Sequence, residues 1–349
     1  MTSAPPTTPP ARTADRPSLG SPWLRRALLL NLVLEVGIVV TGGLVRLTGS
    51  GLGCPTWPEC VPGSYVPVRE QAEGFHRFIE FGNRTLTGAV GFGALFVLYA
   101  VWRWAGRRRD LMVPAWIVLV GVATQAVLGG ITVRTGLHPA TVAAHFLVSM
   151  ALVATSAFLV VRSEEPPGPR ALVVPPLVAR LAWLACAVAA AVLVLGTVVT
   201  GSGPHSGDAD EPARFGFDPR TISWLHADAV MLFIGLVVAV WVAARLTATS
   251  PRAAEAWRWV LLVTLVQGLV GYVQYLAGLP EVLVLAHMLL ASLLVVALTA
   301  GMVRLRSHAL TPAPPATPAP PSTPEPASAQ PSGRWTSGST ATPRKRSAT

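Results

Sequence analysis

Charged side chains are scarce in this chain. They make up 13% of its 349 residues against 52% hydrophobic, and the mean hydropathy is +0.52, a balance that excludes an ordinary soluble domain. Cysteine is nearly absent, with three in all. No Cys-x-x-Cys redox pair occurs, and the cysteines are too few for a zinc site. The net charge of +10 gathers into no nucleic-acid footprint, because most of it lies in short connections between apolar runs. A cleavable signal peptide is not expected either: the first apolar run has full spanning length and no small-residue cleavage pattern follows it.

What the chain has in abundance is apolar sequence of membrane-spanning length. About 20 apolar residues cover roughly 30 Å of hydrocarbon at about 1.5 Å per residue. Such segments fall near 27–47, 80–102, 112–133, 140–161, 179–200, 222–245, 258–277 and 282–303. If every segment spans, one side of the membrane collects Arg25 and Arg26, Arg103 and Arg107 to Arg109, Arg162, Arg170 and Arg180, Arg245, Arg252 and Arg258, and Arg304 and Arg306. The positive-inside rule makes that side, and both termini, cytoplasmic. Residues 1–22 and 307–349 are rich in Pro, Thr, Ala and Ser and lack the apolar content to fold, so both are expected as disordered cytoplasmic tails. The basic end at Arg344, Lys345 and Arg346 is read as solvated rather than bound to anionic lipid.

The spans repeat. Gln125, Gly129, Gly136, Leu137, Val142, Ala144, His145 and Leu147 recur 142 residues later as Gln267, Gly271, Gly278, Leu279, Val284, Ala286, His287 and Leu289. The expected fold is therefore an all-α integral membrane protein of eight transmembrane helices, built as two pseudo-symmetric four-helix bundles over 23–162 and 163–306.

Two long outer loops, about 49–75 and 201–221, occupy equivalent places, each entered through Thr-Gly-Ser-Gly at Thr48 to Gly51 and Thr200 to Gly203. The first carries Cys54 and Cys60 around two prolines and a tryptophan, in what would be an oxidising compartment. A disulfide is expected there, either structural or exchanging electrons or thiols with a partner, with free thiols as the third reading. Cys186, alone in span five, reads as a small core residue.

Position sorts the seven histidines. His205 and His308 read as solvated, and His76 and His138 as boundary residues. His145, His226 and His287 lie inside the outer ends of spans, where an unpaired imidazole is costly unless something binds it. His226 and His287, at matched depth in one half, suit a bis-histidine haem. The bland alternative is a hydrogen bond across the bundle. The repeat maps His226 onto Asn83, a poor iron ligand, so the first half offers His145 alone and the halves differ in function.

Glu80, Asn83, Arg84 and Thr87 share one helix face. Glu80 either pairs blandly with Arg84 or faces whatever His145 holds, with desolvation and Arg84 tuning its ionisation. Gln125 and Gln267 suggest interhelical hydrogen bonds. Arg46 and Arg134 are candidates for haem propionates or for snorkelling to lipid headgroups. Glu35, near the middle of span one, suggests no role.

Eight spans in two halves, the Cys-Pro-x-Trp-Pro-x-Cys loop, Glu-x-x-Asn-Arg at Glu80 to Arg84, and histidines on spans four, six and eight make residues 25–305 resemble the haem A synthases of the CtaA/Cox15 type. The resemblance implies haem b held by His226 and His287, and haem O as substrate at His145, Asn83 and Arg84. There the C8 methyl group is oxidised to formyl in two hydroxylation-level steps with oxygen from water, through a geminal diol. Glu80 would stabilise cationic character at the methyl or accept a proton from water. Asn83 stands where many members carry a fourth histidine, with His76 the other imidazole nearby. Implied partners are haem O, delivered by a haem O synthase, the lipid bilayer and an electron acceptor of unnamed kind. A homo-oligomer is compatible with the sequence. Two other classes remain: a dihaem membrane electron carrier, which calls for four ligands, and a repeat-built transporter, which calls for helix breakers near mid-membrane.

Overall fold

The computed structural model describes residues 21–308 apart from 70, 107, 206 and 209–211. The two expected tails therefore lie outside the described residues, save Ser21, Pro22, Ser307 and His308. Among the described residues eight helices are long and apolar enough to cross a membrane: α1 (Pro22–Leu47), α2 (His76–Trp104), α3 (Arg109–Arg134), α4 (Pro139–Ser163), α5 (Pro176–Ser202), α6 (Pro219–Thr247), α7 (Pro251–Leu276) and α8 (Glu281–Arg304). All eight expected spans are present, each slightly longer than its apolar run.

Their ends follow from local chemistry. Five helices open on proline, at Pro22, Pro139, Pro176, Pro219 and Pro251. Its fixed φ suits the first turn, and its missing N–H would have no partner there anyway. Asp218 caps α6 by accepting from the backbone N–H of Thr221 at 2.9 Å and from its hydroxyl at 2.6 Å, which holds the Asp218 carboxyl below its ordinary range.

The repeat is visible in the turns. After α3, Leu137 N–H bonds the Thr132 carbonyl and Gly136 N–H that of Val133; after α7, Leu279 N–H bonds Gln274 and Gly278 N–H bonds Tyr275. These are paired Schellman caps. Both require left-handed backbone at Gly136 and Gly278 (φ 59° and 79°) and, against ordinary preference, at Leu137 and Leu279 (φ 55° and 62°). The recurring Gly-Leu pairs are thus turn residues.

In the first half α1, α2, α3 and α4 form a closed ring of neighbours; in the second, α5, α6, α7 and α8 follow the same order, but α8 packs against α1 and α4 rather than closing firmly on α5. The bundle end carrying residues 48–75 is here called the loop end, and the opposite one the strand end. The apolar core of each half lies toward the strand end: Leu28, Val97, Leu111, Val118 and Leu159 in the first, Val178, Phe233, Val237, Trp257 and Val260 in the second. Small residues, including Ala94, Ala115, Ala182 and Ala253, let the helices approach closely there. Toward the loop end α6 and α7 bury no residue after the chain passes Thr264 or before it reaches Phe233.

The strand end holds what the apolar pattern did not foretell. Strand β1 (Arg170–Leu172) pairs antiparallel with β2 (Arg306–His308), so His308 and Ser307, expected in a solvated tail, belong to a ribbon. Beneath it Glu165 meets Arg170 at 2.9 Å, Arg304 at 3.3 Å and Arg162 at 3.8 Å, and Asp110 meets Arg108 and Arg162, each at 2.7 Å. Arg304 also pairs with Glu164. Ion pairs from Arg304 of α8 to Glu164 and Glu165 tie the two halves together here.

Candidate haem pockets

Three imidazoles share one setting. The His226 ring sits where a Cβ on Gly196 of α5 would come within 3.3 Å of it, His287 where one on Gly271 of α7 would come within 3.1 Å, and His145 where one on Gly129 of α3 would come within 3.5 Å. Each glycine opens a cradle on the neighbouring helix. His226 lies against the backbone of Val192 and His287 against that of Gln267, in each case one turn before the cradle glycine. In all three rings Nδ1 is buried and lacks an aligned hydrogen-bond partner. In His226 and His287 the Nδ1 edge of the ring is the one turned toward the cradle glycine, which leaves Nε2 as the nitrogen not engaged there.

His226 and His287 stand on the diagonal helices α6 and α8 of the second half. They lie at the loop end, beyond the packed core. Buried ring nitrogens without partners, glycine cradles beside both rings and the sparse burial of α6 and α7 toward the loop end are compatible with a haem held by this pair. In the first half His145 on α4 repeats His287, and α2 carries Asn83 at the position equivalent to His226. Asn83 accepts a 2.7 Å hydrogen bond from the Thr41 hydroxyl of α1, and His76, exposed at the start of α2, has its Nδ1 2.8 Å from the Ser50 hydroxyl. Gln125 donates to the His145 carbonyl at 2.9 Å and to Ser149, joining α3 to α4, and the Oε1 of both Gln125 and Gln267 is buried without a partner.

Glu80 is engaged more fully than its place on the helix face foretold. Its Oε2 accepts from the Cys54 backbone N–H at 2.6 Å, and its Oε1 accepts from Arg84 Nε at 3.0 Å and Nη2 at 2.6 Å. Arg84 spends its other donors on the carbonyls of Cys54 (2.7 Å), Thr56 (2.9 Å) and Glu59 (3.2 Å). The pair is neither free at the membrane rim nor aimed only into the bundle: it clamps the loop closed by the Cys54–Cys60 disulfide onto α2. Trp57 of that loop rests on Gly130 of α3, next to the His145 cradle, where a Cβ would overlap the indole.

Both outer arginines reach backbone carbonyls. Arg134 donates to the Trp57 carbonyl at 3.1 Å and lies over its ring, and Arg46 donates to the Thr200 carbonyl at 3.1 Å, leaving its Nε buried without a partner. The two outer loops meet where Gly51 N–H bonds the Gly207 carbonyl at 2.9 Å. His205, expected to be solvated, places Nε2 3.1 Å from the Leu279 carbonyl. His138 caps α4. Sequence reasoning missed the cradles, although Gly129 and Gly271 were already among the repeated positions, and it missed Trp57, whose partner is a glycine.

Comparison with known proteins points the same way. A family model described as cytochrome oxidase assembly protein, COX15-CtaA, matches residues 25–205. Curated relatives named Heme A synthase include those of Alkalihalophilus pseudofirmus (29% identical, covering 40% of this chain and 48% of the relative), Lysinibacillus sphaericus (32%, covering 37% and 40%) and Halalkalibacterium halodurans (31%, covering 43% and 51%). The chain thus spans about half the length, or less, of the curated relatives it matches.

Proposed function

Given that this chain belongs to the COX15-CtaA family of cytochrome oxidase assembly proteins, we propose that it is a haem A synthase, an oxidoreductase that converts the C8 methyl group of haem O to a formyl group with oxygen from water. The observation that carries the reading is the asymmetry of the repeat: cradled His226 and His287 in one half, and in the other a cradled His145 with Asn83 at the position equivalent to His226 and, one turn before it on α2, a buried carboxylate clamped by arginine. A site with two axial ligands suits electron transfer, and one with an open face suits reaction.

His226 and His287 would hold haem b, with Gly196 and Gly271 leaving room for the rings. Such a haem supplies one-electron transfer away from the reacting half. His145 would hold the substrate, haem O, with Asn83 and Arg84 beside it. Glu80 is 5% exposed, and its Oε2 accepts only the Cys54 N–H, so it keeps a lone pair for a proton from water. Arg84 fixes that carboxylate through Oε1. The disulfide loop, held by the same two residues and by Trp57 on Gly130, excludes water from above.

The membrane in question is the cell membrane. By the positive-inside rule the basic residues Arg25, Arg26, Arg162, Arg170, Arg180, Arg304 and Arg306 would make the strand end cytoplasmic, and the cysteine loop would then face an oxidising compartment. Haem O would arrive from a haem O synthase, and electrons would pass to an acceptor outside the chain.

The test is production of the chain in cells that make haem O but no haem A, with extraction of total haem. Haem A is expected with the wild type and not with Glu80→Ala, while both retain haem b. Unchanged haem O in cells carrying folded wild-type protein would overturn the reading in favour of a dihaem carrier or a transporter.

A further inference from the structure

Building on the haem reading above, we propose that Glu35 is a proton-exchange site in the membrane interior, a carboxyl that takes up and releases a proton as charge on the haem groups changes. Glu35 lies midway along α1, 3% exposed, and its Oε1 has no hydrogen-bond partner. One turn earlier Asn31 donates to the Ser156 hydroxyl of α4 at 2.9 Å and leaves its own Oδ1 unpartnered. One turn later Val39 packs with Met150 and Val153 of α4 and with Met288 and Val295 of α8. Because α1 and α4 run antiparallel, Glu35 faces the level of Leu152. That is seven residues from His145, or roughly 10 Å at about 1.5 Å per residue.

The helices packed on α1 offer it no counter-ion. Their nearest acidic or basic side chains are Glu80 and Arg84 toward the loop end and Arg103 toward the strand end of α2, His145 and Arg162 on α4, and His287 and Arg304 on α8. Each lies well along its helix from the level of Glu35. A bare ionised carboxylate is costly in such surroundings, and ionisable residues inside membranes mark proton relays. The counter-charge left for Glu35 is a proton, bound and released with no electron moved. Turning a methyl group into a formyl group with water's oxygen releases protons as well as electrons, and Glu35, Asn31 and Ser156 form a polar line leading from the His145 side toward the strand end.

Redox-induced infrared difference spectroscopy on the purified full-length holoprotein tests this, with haem b content checked by pyridine haemochrome. The wild type should show a carboxylic C=O band that shifts in deuterated water. The band should vanish in Glu35→Gln at unchanged haem b content and stay in Glu80→Gln. Glu35→Asp, which should displace the band, carries the test if Glu35→Gln fails to assemble. Haem-loaded wild type without the band, or a band that persists in Glu35→Gln, overturns the proton site alone. Protein that purifies without haem overturns the haem reading and the proton site together.

Discussion

Glu80 accepts the backbone N–H of Cys54 at 2.6 Å, so a carboxylate of the second membrane helix and the first residue of the disulfide are in direct contact. The same group that is proposed to act on substrate also seats the loop that covers it. Loss of the carboxylate should therefore cost both functions. Glu80→Ala is expected to lower haem A formation at least tenfold, since one charged hydrogen bond left unmade is worth about 1.5–3 kcal/mol, while haem b stays bound. Extracted-haem chromatography alongside the pyridine haemochrome of purified protein reads both quantities. Full conversion by Glu80→Ala would remove its catalytic role.

The two imidazoles of the second half carry a different expectation from the one in the first. His226→Ala or His287→Ala should abolish stable retention of haem b, whereas His145→Ala should keep it and lose haem A formation. Visible spectra of the purified variants decide the point. A His226→Ala protein with a wild-type spectrum would show that the pair is not an axial couple.

Gly271→Ala separates ligand geometry from helix stability. A methyl group there would come within 3.1 Å of the His287 ring and rotate it. Alanine is otherwise the better helix former by about 0.5–1 kcal/mol. Haem b affinity should fall about 10–100-fold, the range seen when a metal ligand loses its orienting contacts, with no drop in thermal stability. A titration of apoprotein with haem, paired with a melting curve, makes the comparison. Gly129→Ala, whose methyl would sit 3.5 Å from His145, should be milder.

Replacing Cys54 or Cys60 by Ser should leave the loop in place but looser, because the Glu80, Arg84 and Trp57 contacts do not depend on the disulfide. Haem b should be retained and haem A formation reduced rather than lost. Faster cleavage by trypsin in the 48–75 loop would register the loosening. Complete inactivation in a folded cysteine variant would favour a bond that exchanges electrons or thiols with a partner.

At the strand end, Glu165→Ala leaves Arg162 with Asp110 and Arg304 with Glu164, so the loss falls mainly on Arg170. A charged group left with one partner fewer costs about 1–3 kcal/mol, so yield and melting temperature should drop with no change in the haem spectrum of the surviving protein. An unchanged melting temperature would show that the ribbon and helix packing hold the halves without the ions.

The spans and the repeat were legible because membrane helices write their length in apolar residues and duplication preserves spacing. His145, His226 and His287 stood out for the same reason, as polar groups at equivalent depths in apolar runs. What could not be read was where side chains meet backbone. Arg84 binds the carbonyls of Cys54, Thr56 and Glu59, and Arg134 binds that of Trp57; a carbonyl has no letter in the sequence. Two strands of three residues carry too little pattern to announce themselves. His205 was read as solvated because its partner, the Leu279 carbonyl, is exposed only by the left-handed turn after α7. The bridge from Thr41 to Asn83 is another such case: substitution of a ligand-type histidine by asparagine was plain, but the hydroxyl that satisfies it lies on another helix.

The central claim, that one duplicated bundle keeps a haem while the other transforms one, is tested most directly by supplying haem O to purified wild-type protein carrying its haem b, with an electron acceptor, and following the extracted haems by mass. Haem O should decline and haem A appear, carrying oxygen from labelled water, while haem b remains constant. Haem O recovered unchanged beside intact haem b would contradict it.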